Sequence, residues 1–229
     1  MLDLMWRIAP LGIGAALTPS LLCLQILMSS NTPWKARSLA VFAGAGSAFA
    51  IACTALLLGF TSLPKPHPGS SDPLGGALWL AVGVILAVVA TYLFIPHPEL
   101  RAKVEASFTR RMDKAKTLTF FAIAFALSIK DVSSFALLLP AIRDISSAGI
   151  DIFWQIIAVA VLYFLALSPV IVPPLLRLIR GDKAAVSLGR LYRFTMNHQF
   201  EILATVFAVF ALYCIVIAVG TSKLGWAPW

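Results

Sequence analysis

Lys130 and Asp131 stand side by side in the middle of an apolar run, with Ser128, Ser133 and Ser134 close by. Two charges and three hydroxyls within seven residues can support two kinds of chemistry. A lysine beside a serine can activate a nucleophile, with Asp131 orienting it, and so move an acyl group to or from a lipid-linked substrate. The same groups can instead hold a polar or anionic solute. Lys130 then supplies positive charge while Asp131 gains and loses a proton. Ionisable residues inside a membrane are costly and face a cavity or a partner, so either use requires a shielded site. On a continuous helix Ser128, Asp131 and Ser134, at steps of three, share one polar stripe, and Lys130 to Ser134 is an i,i+4 pair. Lys130 and Asp131 point about 100° apart and cannot pair face to face, so the helix either unwinds there or finds each of them a partner elsewhere.

A second unusual group, Thr18-Pro19-Ser20, lies near the centre of an earlier apolar run. Pro19 removes a backbone donor and clashes with the preceding turn, so that run is expected to kink or break, and its freed carbonyls must find new donors. Ser168-Pro169 and Pro173-Pro174 read as a further kink. The candidate substrate-binding residues are Thr18, Pro19, Ser20, Gln25, Ser128, Lys130, Asp131, Ser134 and Ser168. The alternative catalytic reading draws on Ser128, Lys130, Asp131, Ser133 and Ser134. No metal and no cofactor are expected: His67, His97 and His198 fall in loops without ligand spacing, and Cys23, Cys53 and Cys214 form no CxxC pair.

The elements that must position these residues follow from composition. Of 229 residues 60% are hydrophobic and only 12% charged, with a mean hydropathy of +0.91. A soluble domain carries about a quarter charged residues, so this chain cannot cover a water-facing surface. A disordered chain and a disulfide scaffold are excluded by the same numbers. Six runs reach the roughly 20 apolar residues a spanning helix needs: 8–29, 38–60, 74–95, 118–139, 152–176 and 202–220. Nothing alternates as a transmembrane β-strand would. The fold class is an all-α polytopic membrane protein.

Thirteen of the 18 Lys and Arg residues fall on one side of this layout, four on the other, and Lys130 lies within a span. The positive-inside rule then puts both termini outside and the basic loops in the cytoplasm. The six tryptophans lie at or near span ends, as an interfacial belt requires. The first run has no basic n-region and is not read as a cleavable signal. The net charge of +8 is thus mostly topology, with affinity for anionic membrane lipids, and no nucleic-acid partner is expected. From Pro98 to Lys116, Leu100, Val104, Phe108 and Met112 recur every four residues among basic ones, the pattern of an amphipathic helix on the inner membrane surface. The proline-rich stretch 63–73 reads as an external loop.

Three spans precede the basic loop and three follow it, so the two halves insert in opposite orientations, an inverted repeat of the kind common in transporters. The divisions are a first three-helix repeat (1–96), the amphipathic linker helix (97–116) and a second repeat (117–229). The halves echo each other faintly: Ala15-Ala16-Leu17-Thr18-Pro19-Ser20 and Phe125-Ala126-Leu127-Ser128-Ile129-Lys130-Asp131 both place an Ala-Leu-hydroxyl run at mid-span. Gly44, Ala45, Gly46, Ser47 and Ala48 read as close helix contacts.

In this order of parts the chain resembles the LysE superfamily of small exporters, and within it the GAP family of peptidoglycolipid and sulfolipid-addressing proteins. Thr18-Pro19-Ser20 is similar to the family's first-span motif, and Lys130 to the lysine of its Asn-Pro-Lys-type motif in span four. Ser128 and Ile129 stand where that Asn-Pro would be, and the acidic residue often found ahead of the first motif is missing. The resemblance covers nearly the whole chain. It implies export of an envelope lipid, a glycolipid or a small polar metabolite across the inner (plasma) membrane of an actinobacterium-like cell. An intramembrane acyl-transfer enzyme and a non-catalytic scaffold stay open, as does the oligomeric state, a homo-oligomer included.

Overall fold

A computed structural model of the protein describes residues 2–17, 19–30, 33–62, 73–95 and 116–223. Thr18, most of the proline-rich loop and the amphipathic linker helix up to residue 115 lie outside the described residues, as do His67, His97, Trp226, Trp229 and the side chain of Ser133. The regular structure among the described residues is helical throughout: α1 (Leu2–Ala16), α2 (Pro19–Ser30), α3 (Trp34–Thr61), α4 (Pro73–Phe94), α5 (Thr117–Lys130), α6 (Val132–Ser147), α7 (Ile152–Ala166), α8 (Ser168–Arg180) and α9 (Asp182–Lys223).

Among the described residues, Trp34–Thr61, Gly76–Phe94 and Phe200–Val219 are long and apolar enough to cross a membrane alone. Three further crossings result if each bent pair counts as one span: α1 with α2 (62°), α5 with α6 (67°) and α7 with α8 (65°). These positions coincide with the six apolar runs. Outward-facing Leu39, Leu58, Val88, Leu212 and Val216 are each more than 60% exposed, an apolar exterior suited to lipid and not to water. The chain is a multi-pass membrane protein.

Each bend has a local cause. Pro19 opens α2, where its missing N–H and fixed φ suit the first helical position. Asp131, with φ −79° and ψ 76°, ends α5 and caps α6. Leu167 separates α7 from α8, and Pro169 stands in the first turn of α8. The bend between α7 and α8 therefore falls at Ser168-Pro169, while Pro173 and Pro174 lie inside α8.

The two sequence halves interlock. α1 packs on α6 and α7, α2 on α5 and α8, α3 on α5 and α6, and α4 runs against α9. Glycines permit the tightest of these approaches. A Cβ on Gly44 of α3 would strike the carbonyl oxygen of Phe121 in α5, and one on Gly12 of α1 would press on Leu165 of α7. The Tyr163 hydroxyl donates to the Gly46 carbonyl at 3.1 Å.

Several expectations are corrected here. The segment 177–199 is not a loop. After Gly181 ends α8 with a positive φ of 60°, α9 begins at once, and Ala184 and Leu188 bury against Ile26 of α2. Four-residue spacing gives this stretch an apolar face hidden among its basic residues. His198, expected in a loop, sits at a kink within α9 (φ −116°, ψ 16°). Trp79 is not part of an interfacial belt. It is 2% exposed, and its indole N–H points at Asp144 Oδ1 at 3.4 Å, since a buried indole needs an acceptor. The fourth apolar run, read as ending at residue 139, continues as helix to Ser147, so Arg143 is a buried residue of α6 and not part of a loop.

Contacts between chain segments define two ends of the bundle. At one, Arg7 of α1 meets Asp144 of α6 at 4.0 Å beside Trp79 of α4. At the other, Arg37 of α3 lies 5.5 Å from the Phe120 ring of α5, and Arg177 of α8 lies 5.2 Å from the Trp34 ring of α3.

Candidate functional site

Helix breaks expose backbone groups that membrane interiors cannot hydrate, so their partners reveal what the breaks are built around. At the end of α1, the Leu17 N–H donates to the Gly14 carbonyl at 3.1 Å. The next carbonyl, that of Ala15, takes a hydrogen bond from Ser134 Oγ at 2.8 Å, across 119 residues of sequence. Ser134 stands in the first turn of α6. The break between α1 and α2 and the break between α5 and α6 therefore touch, and both contact residues are essentially buried, at 1% exposure.

Asp131 organises the second break. Its Oδ1 accepts from the Ser134 N–H at 3.3 Å, the usual bond of an N-cap to the third residue of the helix it starts. Its Oδ2 lies 2.6 Å from Ser134 Oγ. A serine hydroxyl carries a single hydrogen, and here two acceptors flank it, the Asp131 carboxylate and the Ala15 carbonyl. The one hydrogen can be donated to only one of the two at a time.

The other predicted residues divide into groups. Pro19 is buried at the start of α2, and Ser20 is exposed beside it. Lys130 is exposed at the end of α5 and makes no ion pair or hydrogen bond with a described residue. Ser128 is fully buried and donates back along its own helix to the Ala124 carbonyl at 2.9 Å. The single stripe expected for Ser128, Asp131 and Ser134 is not formed, because the helix breaks between them: Ser128 belongs to α5 and Ser134 to α6. Neither of those two hydroxyls bonds to Lys130. Gln25 belongs to a separate buried cluster in which its Nε2 donates to Ser38 Oγ at 2.6 Å, with Ser29 Oγ 3.2 Å from the same atom. Ser168 opens α8 at the third bend, and its side chain forms no hydrogen bond with a described residue.

Some residues escaped the sequence reading. Ala15 contributes only a backbone carbonyl, which no side-chain motif can reveal. Asp144 is tied to Arg7 and Trp79, and an Arg-Asp pair so close to an apolar run was the available signal. Trp34, Lys35 and Arg177 gather at the basic end, where an Arg following Pro-Pro-Leu-Leu inside an amphipathic helix was the clue. Among the described residues, no group of three His, Cys, Asp or Glu is placed to hold a metal ion.

The fold is that of a multi-pass membrane protein in which two helix breaks, one between α1 and α2 and one at Asp131, touch through Ser134 and Ala15. The sequence pattern of the family described as Sap, sulfolipid-1-addressing protein, matches residues 8–220, and the chain belongs to that family. No curated protein and no solved structure gives a match.

Proposed function

We propose that this protein is a transporter that exports an anionic envelope lipid across the bacterial inner membrane, through a polar site where the broken first and fourth spans meet. The observation that carries this reading is the Ser134–Ala15 bond, which joins the break ending α1 to the break starting α6. The family description names sulfolipid-1, and a sulfolipid carries a negatively charged headgroup. Lys130 offers that headgroup a positive charge, and the restarting helices α2 and α6 turn their positive dipole ends toward the same region.

The architecture proposed for this transporter is six spans in two inverted three-helix repeats, with both termini outside. The exchange of packing partners supports it. If α1 corresponds to α5, α2 to α6, α3 to α7 with α8, and α4 to the second part of α9, contacts map onto contacts. α3 on α5 answers α7 on α1, α3 on α6 answers α8 on α2, and α1 on α6 answers α5 on α2. The two ends of the bundle fit the same scheme, since Lys35, Arg37 and Arg177 gather at one end, as the cytoplasmic assignment of the basic loops requires.

The test compares envelope lipids, extracted from the outer envelope and from the inner membrane, among wild type, a deletion strain and complemented variants. Lys130→Ala is expected to leave the lipid trapped at the inner membrane, while Ser128→Ala, Ser133→Ala and Ser134→Ala each keep part of the export. A single serine variant that is folded, well expressed and devoid of function would replace the transporter with an acyl-transfer enzyme, and covalent labelling of that serine by an activated phosphonate would establish it. For topology, Ser70→Cys should react with an impermeant thiol reagent in intact cells and Ser107→Cys should not.

A further inference from the structure

α1 and α6 pack against each other between the two central breaks and the end of the bundle opposite the basic one. Two polar contacts join them, the Ser134–Ala15 bond at the breaks and the Arg7–Asp144 pair at the far end. Arg7 lies eight residues before Ala15, and Asp144 ten after Ser134. At 1.5 Å of rise per residue the two contacts are therefore about 12–15 Å apart. The facing sides follow helical spacing: Arg7, Leu11 and Ala15 recur every four residues on α1, and Ser134, Leu137, Ala141 and Asp144 at steps of three and four on α6. Leu11, Leu137 and Ala141 are fully buried in the main core. A dry apolar layer thus separates the two polar contacts.

Each helix carries a proline between its two contacts, Pro10 in α1 and Pro140 in α6. Neither supplies an N–H, so the carbonyls of Trp6 and Ala136 lose their usual helical donors. Pro10 is three residues from Arg7 and Pro140 four from Asp144, which puts both weak points at one level of the bundle. Proline inside a helix is a point of bending. Beyond it lie two short tips, residues 2–9 and 141–147.

What holds the tips together is polar and converges on one carboxylate. Asp144 Oδ1 accepts from the indole N–H of Trp79 in α4 at 3.4 Å, and Oδ2 faces Arg7 Nη1 at 4.0 Å. Both partners come from the first half of the sequence, whereas Asp144 belongs to the second. Trp79 is braced in turn by Tyr213 of α9, its ring edge to face at 6.0 Å between centroids. The side chains of Arg7 and Asp144 are 24% and 13% exposed, so both reach the rim. A well-packed apolar pair would hold this seam at least as well, because a buried ion pair adds little net stability. It would also bare hydrocarbon whenever the seam opened. Charged groups at a rim are rehydrated on parting, which suits a contact made to be broken.

We propose that the tips of α1 and α6 form a gate, hinged at Pro10 and Pro140 and latched by Asp144 on Arg7 and Trp79. Latched, it seals the end opposite the basic one, the external end in the architecture proposed above. The Ser134–Ala15 contact is the floor beneath it. The purpose of the gate, an exit for the exported lipid, rests on the transporter reading, but its opening can be measured without export.

Leu11 reports on the seam. With Cys23, Cys53 and Cys214 replaced by alanine, Leu11→Cys is introduced, and its rate of modification by N-ethylmaleimide is measured on the full chain in detergent. Labelling is expected to be slow while the latch is intact. Asp144→Asn and Arg7→Gln should each speed it at least about tenfold, the scale of losing a charge-assisted contact. Exchanging the charges, Arg7→Asp with Asp144→Arg, should reverse most of that gain. Pro10→Ala with Pro140→Ala should slow labelling in the Asp144→Asn protein, because stiffened helices cannot swing. Ala141→Cys, a smaller substitution on the facing helix, should behave as Leu11→Cys does. A protein that keeps only Cys53, buried in α3, controls for general loosening and should stay unreactive in every variant. Rates that neither latch variant changes would overturn the gate, as would a rise at Cys53 in step with Leu11→Cys. If deleting the protein leaves envelope lipids unchanged, the transporter reading fails, and the labelling rates still decide the gate.

Discussion

The two central breaks achieve the same bend by opposite means. At the first, Pro19 stops the hydrogen-bond ladder of the preceding turn and opens α2, adding no charge. At the second no proline is present. Asp131 ends α5 and, by accepting from the Ser134 N–H, starts α6. The bends are nearly equal, 62° and 67°, yet only the second places an ionisable group at the break. A span can therefore be broken by taking a donor away or by supplying a better acceptor. The second way also leaves a carboxyl group where the two halves touch.

The largest expected effect separates these two roles of Asp131. Asp131→Asn preserves a good N-cap but removes the carboxylate, so α6 should still form while export falls at least about tenfold, the scale of losing a charge-assisted hydrogen bond. Lipid export normalised to folded protein in the membrane gives the answer. Wild-type export in that variant would reduce the second break to the same architectural role as the first.

Ser134→Ala removes the tie between the breaks and leaves the Ala15 carbonyl without that donor. A loss of about 1–3 kcal/mol in stability is expected, read as a lower melting temperature in detergent, with export reduced but not abolished. Packing between the halves gives a comparable effect at Gly44. Gly44→Ala drives a methyl group into the Phe121 carbonyl and should cost about 1–3 kcal/mol. Gly59→Ala, with open space around it, should be neutral or slightly stabilising. Equal melting temperatures for the two variants would place α3 and α5 farther apart than described.

The smallest effect is expected at the first break. Pro19→Ala restores a donor and permits a straighter span, but the first helical position tolerates either residue, so stability should change by less than about 1 kcal/mol. Any loss of export should be partial. A loss as large as that of Asp131→Asn would mean that the bend itself, more than the charge, determines function.

Much of this arrangement is legible in the sequence because its causes are local. The apolar runs locate the crossings, and Pro19 announces its break. The small residues around Gly44 fit the close approach to α5. The break at Asp131 was harder to read. A polar stripe at steps of three presumes an unbroken helix, and nothing in Ser128-Ile129-Lys130-Asp131 says whether an aspartate is paired across a helix or used as a cap. The helical stretch from Asp182 was hidden by its basic residues, since Ala184 and Leu188 become a buried face only once Ile26 is opposite them. Trp79 looked interfacial because only tertiary packing brings Asp144 to it. The bond from Ser134 to Ala15 lay beyond any motif, because its acceptor is backbone and its partners are 119 residues apart.

That bond is also where the central claim is most directly tested. In a background with Cys23, Cys53 and Cys214 replaced by alanine, Ala15→Cys and Ser134→Cys are combined and the membranes are treated with a mild oxidant. A backbone carbonyl and a side-chain oxygen 2.8 Å apart keep the two residues within reach of a disulfide. The double variant is predicted to form an intramolecular disulfide that blocks lipid export, and reduction should return export to the level of the unoxidised double variant. A folded double variant that forms no disulfide under conditions that oxidise control pairs would contradict the meeting of the two breaks, and with it the site proposed there.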